Sequence, residues 1–439
     1  MLDLRHWPAV IIGLSVLVLG AGRGAIADAA RMEGARAAGL TVDQAVETAL
    51  QSNPSLAQMR ARAQAAAQVP SQAGSLPDPT LDLNALNLPV DSFSLDQEAM
   101  TQLQVGVTQA IPFPGKLGLK EEAAEFEAAA AGDDVEETRL QLIREVRSTW
   151  WKIFYVERAL QIVDRNHDLL KSFVEIAQTK YTVGEGLQQD VLLAQLELSK
   201  LMDRRIQLQA SRRNEVARLN ALLDLPVDQP VRLPQTAETH LPDVLPEQSL
   251  YALADDHRPL LARYRNELRA AAKRVDLAER DYLPDFKLGA AYGFRQGSNL
   301  DGSSRNDFLS LRLSMTIPLY AGSKQDRAVD QRTSEWLARQ YALQDERGKV
   351  NAAISSVLAD YDQAREQVLL FETGIIPQAR QTVASMLAGY QVSKVDFLNL
   401  VRSQITLYNY ETRYWQALSA ARQELARLVA TVGKEVVDE

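Results

Sequence analysis

The two halves of this 439-residue chain carry the same succession of landmarks, 205 to 209 residues apart. Asn53-Pro54 returns as Arg258-Pro259, Leu76-Pro77-Asp78 as Leu283-Pro284-Asp285, and Ile111-Pro112 as Ile317-Pro318. Tyr181-Thr182-Val183-Gly184 returns as Tyr390-Gln391-Val392-Ser393 and runs on to Gln195 against Gln404. Solenoid repeats span roughly 20 to 50 residues, so each copy is a whole substructure. Both read as helix, short alternating strands, a Pro/Gly corner, a very long helix, a tight turn and a returning helix. The copies are expected at residues 28–224 and 247–431, joined by a linker at 225–246 and followed by a tail at 432–439. Five prolines between Pro226 and Pro246 bar a continuous helix from the linker.

The net charge of -9, with no basic stripe, excludes a nucleic-acid partner. The absence of cysteine excludes disulfides, thiolate metal sites, a cysteine nucleophile and a lipidated cysteine anchor. Residues 1–27 read as a secretory signal. Arg5 and His6 precede an apolar run at 9–19, and Ala25-Ile26-Ala27 forms a small-x-small cleavage site before Asp28. That run falls short of the roughly 20 residues a membrane helix needs, and no later stretch reaches that length. Any span across a membrane must therefore use strands.

Val350, Ile354, Val357, Tyr361, Ala364, Val368, Phe371 and Ile375 alternate at spacings of four and three, a coiled-coil seam. The first copy has a noisier version from Val146 through Trp150, Ile153 and Leu170 to Tyr181. Residues 115–181 contain no proline and would form a rod of about 100 Å. Residues 322–390 repeat it, with Gly348, Gly374, Pro377 and Gly389 as expected kinks. The returning helices are expected at 187–223 and 396–431. Trp150, Trp151 and Trp415 fall at seam spacing and read as core.

Two alternating segments precede each long helix: 80–88 and 102–111, then 286–294 and 309–317. Leu81, Leu83, Leu103, Val105 and Val107 oppose Asp82, Asn84, Gln102, Gln104 and Thr108. Leu309, Leu311, Leu313, Met315 and Ile317 oppose Ser310, Arg312, Ser314 and Thr316. Such period-two runs suit membrane-barrel strands, apolar to lipid and polar to lumen. A soluble sheet packed on helices shows the same alternation, which would make this a periplasmic coiled-coil interaction protein. Four strands do not close a lipid-embedded barrel, for which about eight is the minimum, so the barrel reading requires copies of the chain to associate.

The duplicated order, the corners Ile111-Pro112-Phe113-Pro114-Gly115-Lys116 and Ile317-Pro318-Leu319-Tyr320-Ala321-Gly322, and the turn Tyr181-x-x-Gly184 leading to Asp190-Val191-Leu192-x-Ala194-Gln195 resemble the TolC family of outer-membrane efflux proteins. Leu76-Pro77-Asp78-Pro79 and Pro89-Val90-Asp91-Ser92-Phe93 are most similar to heavy-metal-efflux members of the CusC and CzcC kind. The resemblance implies a mainly helical fold with membrane β: tandem coiled-coil hairpins, and four strands given by each chain to a homotrimeric twelve-stranded barrel in outer-membrane lipid. It implies as partners a periplasmic adaptor and an inner-membrane pump of the RND type. The function implied is a passive exit duct, for efflux or for type I secretion. The tips that would meet the adaptor are Tyr181, Val183, Gly184, Gly186, Leu187 and Asp190, and Tyr390, Val392, Ser393, Lys394 and Val395. Ser393 stands where the family usually has glycine. The gate would involve Asp190, Asp396, Asn399 and Arg402, with Asn399 and Arg402 where some members carry aspartate. Arg402 is expected to pair with a neighbouring acid and hold the tunnel shut.

No catalytic, cofactor or metal site is expected. His6, His167, His240 and His257 have no partner at ligand spacing, the methionines are scattered, and H-E-x-x-H, G-x-S-x-G and phosphate-binding loops are missing.

Overall fold

The computed structural model describes residues 39–434 and 436; the expected signal and its cleavage site lie outside them. In the first copy, α1 (Val42–Ser52), α2 (Pro54–Ala66) and α3 (Val69–Gly74) lead to β1 (Thr80–Leu86) and β2 (Gln102–Ile111). The long α4 (Lys116–Thr182) and the returning α5 (Gln188–Leu222) complete it. The second copy has α6 (Glu247–His257), α7 (Pro259–Arg280), β3 (Phe286–Phe294) and β4 (Phe308–Met315). Then come α8 (Gln325–Leu370), a π-turn at Phe371–Ile375, α9 (Ile376–Gln391) and the returning α10 (Phe397–Val432). The expected linker forms no helix.

The strands form one antiparallel sheet in the order β1-β2-β3-β4. Leu83 faces Val105, which faces Tyr292, which faces Leu309. This register gathers the apolar residues of all four strands on one side and Asp82, Gln104, Thr108, Lys287, Ser310 and Arg312 on the other. Nothing covers the apolar side: Leu81, Leu83, Leu309, Leu311 and Leu313 are each between 66% and 79% exposed. A soluble sheet packed on helices would bury that face, so the structure separates the two alternatives that local sequence leaves open. Among the described residues no helix is long and apolar enough to cross a membrane. β1 stops at Leu86 rather than at 88 because Asn87 takes a positive φ of 54°.

All four links from sheet to helices leave by one end of the sheet. The α4 corner is fixed by Lys116, whose Nζ lies 3.1 Å from Asp281 and 2.9 Å from Asp285 and donates to the Leu283 carbonyl at 3.2 Å. Asp285 also accepts from the Phe113 amide at 2.8 Å. A buried ammonium with three acceptors resists reorientation, so the rod leaves the sheet at a set angle.

The 67 residues of α4 extend about 100 Å. α8, the π-turn and α9 together match it in length. Six of the eight expected seam residues, from Val350 to Val368, are buried. α8 and α9 run through Gly348 and Gly389 without a break. The irregularity is the π-turn before Pro377, where the Ile376 amide bonds back to the Phe371 carbonyl. Proline cannot supply the helical donor at its own position, and the wider turn absorbs the mismatch. Trp150 and Trp151 are core, with Trp150 stacked on Phe154 and donating to the Leu40 carbonyl at 2.8 Å.

The repeated Asn53-Pro54 and Arg258-Pro259 landmarks are helix joints. Asn53 Oδ1 accepts from the Ser55 and Leu56 amides at the start of α2, while its Nδ2 donates to the Leu222 carbonyl at the end of α5. Arg258 donates to the Thr431 carbonyl at the end of α10. The Asn53 side chain thus satisfies terminal groups of two helices, and the Arg258 side chain a terminal carbonyl of one. The returning helices abut the upper helices as butted rods.

Leu311→Lys or Leu313→Lys should impair membrane assembly far more than Ser310→Lys or Ser314→Lys. A cation on the lipid face near the bilayer midplane costs about 2 to 4 kcal/mol, and the lumen face carries no such cost. The amount of each variant in outer-membrane fractions measures it; equal yields from the two faces would contradict the assignment.

Candidate functional site: the hairpin tips

The two hairpin turns lie at the end of the rods remote from the sheet. After α4, the Glu185 and Gly186 amides both bond to the Lys180 carbonyl, at 2.9 and 3.0 Å, and Gly184 takes a φ of +77°. A Cβ on Gly186 would come within 3.0 Å of Lys180 Cβ and the Tyr181 amide, and the left-handed backbone at Gly184 favours glycine. After α9, the Lys394 amide bonds to the Gly389 carbonyl at 2.8 Å, and Ser393 takes the matching left-handed conformation at φ +57°. Ser393 does Gly184's backbone task at the cost a Cβ incurs there. Val395 folds over Gly389, where a Cβ would meet its methyl at 2.5 Å.

The equivalent residues of the two tips differ in environment. Tyr390 is buried against Phe397, with ring centroids 5.3 Å apart, and Phe397 also meets Phe173 of α4. Tyr181 is 47% exposed, and Val183, Leu187 and Val392 are bare as well. The returning helices show the same contrast. Val401 is 1% exposed, beneath α4, whereas its counterpart Leu192 is 56% exposed. Ile206, the counterpart of half-buried Trp415, is 64% exposed. The first copy presents bare the surface that the second copy buries within the chain.

Asp190 lies in the first turn of α5 and Asp396 at the N-terminus of α10. Burial raises the Asp190 pKa above the ordinary carboxylate value and the Asp396 charge raises it further, against a bond from the Leu187 backbone. A raised folded-state pKa means that ionised Asp190 weakens the turn at neutral pH. That loss is relieved as pH falls through the folded pKa, above the range where a free aspartate protonates. Tyr390 is shifted upward by burial and by Asp190.

Asn399 and Arg402 are exposed on the first turns of α10. Among the described residues no acid of the same chain pairs with Arg402, contrary to the simplest form of the expected lock, so a lock there needs an acid from another copy. Sequence reasoning missed Lys180. Its Nζ donates to the Tyr390 carbonyl and to Ser393 Oγ, each at 3.3 Å, and lies 4.5 Å from the centre of the Tyr390 ring. It thereby ties the first tip to the second. In sequence it is one lysine in a last helical turn, a position commonly explained by the helix dipole alone.

A four-stranded sheet with a bare apolar face, rods of about 100 Å leaving one end of it, and paired turns at the far end of the rods define one chain's share of an outer-membrane channel with a periplasmic tunnel. The chain belongs to the outer membrane efflux protein family, whose model matches residues 45–224 and 250–434. Members of this family, of the TolC type, are trimeric, non-enzymatic channels that work with an adaptor and a pump. Toxin and drug export protein A of Aggregatibacter actinomycetemcomitans is 22% identical over 358 residues, 77% of this chain and 71% of its own length. The outer membrane protein VceC of Vibrio cholerae superposes with a TM-score of 0.74 at 20% identity, over 90% of this chain and 96% of that one. CusC superposes at 0.75 with 14% identity, over 90% and 92%. The fold is therefore as close to VceC as to CusC and does not single out the heavy-metal members.

Gly184→Val should leave trimer formation nearly intact and abolish export, because the strain of about 1 to 3 kcal/mol at a positive φ falls at the tip, remote from the strands. Trimer yield and resistance of the expressing cells measure the two effects. Normal export would show that the shape of this turn is not used.

Proposed function

We propose that the chain is the passive exit duct of a three-component efflux machine, with its tips docked on the periplasmic adaptor and its cargo chosen by an inner-membrane pump of the RND type. The observation that carries this is the bare apolar sheet face at one end of the rods combined with bare tips at the other. One end suits lipid and the other suits protein. Within the tips, Tyr181, Val183, Gly184, Gly186, Leu187, Val392, Ser393, Lys394 and Val395 form the docking surface, with the buried Tyr390 supporting it from beneath. Asp190, Asp396, Asn399 and Arg402 form the entrance, where Arg402 meets an acid of a neighbouring copy.

Heavy-metal cations are the cargo suggested by the Leu76-Pro77-Asp78-Pro79 segment. Among the described residues no group of three His, Asp or Glu side chains is placed to hold a metal ion, so on this reading discrimination among cations belongs to the pump. A second reading, a duct for an exported toxin or drug, is favoured by the likeness to the Aggregatibacter toxin and drug export protein.

The exported protein should begin near Asp28, sediment with the outer membrane, resist salt extraction and run as a heat-sensitive trimer in detergent. A water-soluble, monodisperse monomer would contradict the duct. Deleting the pump gene should abolish resistance to its cargo without altering trimer yield.

A further inference from the structure

We propose that the rods carry a binding site for an elongated aromatic anion with a hydrogen-bond donor at its far end, in the cavity that α4, α5 and α10 enclose around Gln404. The cavity has a volume of about 360 Å³, within the range of small-molecule sites. Asn166, on its floor, stands 16 residues before Thr182 at the end of α4, so the site lies about 24 Å above the first turn. Every lining residue belongs to one chain. The inference therefore goes beyond the duct reading and does not depend on it.

The floor holds a pair of buried carboxamides. Asn166 and Gln404 are each 6% exposed. Asn166 donates to the Ile162 carbonyl at 2.8 Å, which fixes its orientation and leaves its Oδ1 to accept from Gln404 Nε2 at 2.7 Å. Gln404 must then turn its Oε1 away from Asn166. Among the described residues no donor reaches that buried oxygen. A buried acceptor without a donor is costly, and a ligand hydroxyl or amine would satisfy it.

The rest of the lining specifies the ligand. Tyr155, Leu170, Leu201, Ile405 and Tyr408 supply an apolar and aromatic wall. Three cations and one acid border it, and the acid, Glu197, is taken up by Lys200 at 2.6 Å. Arg204 donates to the Gln207 carboxamide at 3.3 Å and lies beside the Tyr408 hydroxyl. Among the described residues neither Arg204 nor Arg413 meets a carboxylate, so two guanidinium charges face the cavity without a counter-charge. Tyr408 and Arg413 stand four and nine residues beyond Gln404 on α10, a rise of about 6 and 13 Å. The acceptor and the cations are thus set apart along the cavity. A planar two-ring acid with a hydroxyl remote from its carboxylate matches this arrangement, whereas a metal cation would meet two unpaired guanidinium groups.

Titration of the purified full-length protein in detergent with 6-hydroxy-2-naphthoate and with 2-naphthoate tests the site. Binding is followed by the fluorescence of the two acids and corrected for their uptake into protein-free micelles. The hydroxy acid should bind one molecule per chain, about tenfold more tightly than 2-naphthoate, the factor expected from one further hydrogen bond. Gln404→Met keeps the length of the side chain, removes the acceptor and should abolish that preference. Arg204→Gln should weaken both acids about tenfold and keep the preference. No saturable binding to the wild type, equal affinity for the two acids, or a preference that survives in Gln404→Met would overturn the inference. Binding unaffected by Arg204→Gln would show that the anion is held elsewhere and would overturn it equally. If Gln404→Met does not assemble, the wild-type preference and Arg204→Gln decide. Failure of the duct reading is measured separately, by trimer formation and outer-membrane fractionation.

Discussion

Hydrocarbon offers a polypeptide no hydrogen bonds, so each unpaired backbone N–H or C=O placed in it costs several kcal/mol. The architecture is built around this constraint. β1 and β4 form the two edges of the sheet, each paired on one side only. The sheet's apolar face suits it to lipid, yet its open edges forbid it from sitting there alone. Closure by further copies satisfies both conditions. Trimerisation is therefore not an addition to a finished domain, because one chain supplies a third of a barrel and has no stable position in a membrane without the rest.

From that closed ring the remaining parts follow by transmission of geometry. Lys116, with its carboxylates and carbonyl, sets the angle at which the first rod leaves the sheet. Asn53 and Arg258 join the ends of abutting helices, so each short upper helix continues into the returning helix of its own copy. Two rods of nearly equal length then deliver both turns to one end. The π-turn lets the second rod keep its length and its seam while accommodating Pro377.

Much of this was legible in the sequence. Strand faces could be read because a period of two admits only two sides. The seam residues Val350 to Val368 could be read because a rod packed on its neighbours needs a continuous apolar stripe. The duplication exposed the joints as landmarks, although it did not show that Asn53 and Arg258 solve the same end-capping problem with different chemistry. The entrance was less legible. Lys180 acts on residues more than 200 positions away, and nothing in its own segment distinguishes it. Sequence spacing does not say which acid, of its own chain or of another copy, a side chain on α10 such as Arg402 meets. Glycines at 348 and 389 suggested breaks, yet α8 and α9 run through both, because an isolated glycine costs a helix only about 1 kcal/mol.

The central claim is that the two open edges of the sheet meet between chains, and cysteine cross-linking tests it most directly because the native chain contains no cysteine. Single cysteines scanned along β1 would be combined with single cysteines along β4 and oxidised in outer membranes. The account predicts covalent trimers on denaturing gels, appearing at alternate positions as the β1 and β4 side chains share a face, and only where the Cα atoms come within about 7 Å. Monomers closed by a cross-link within one chain, or no cross-link at any pairing, would contradict it.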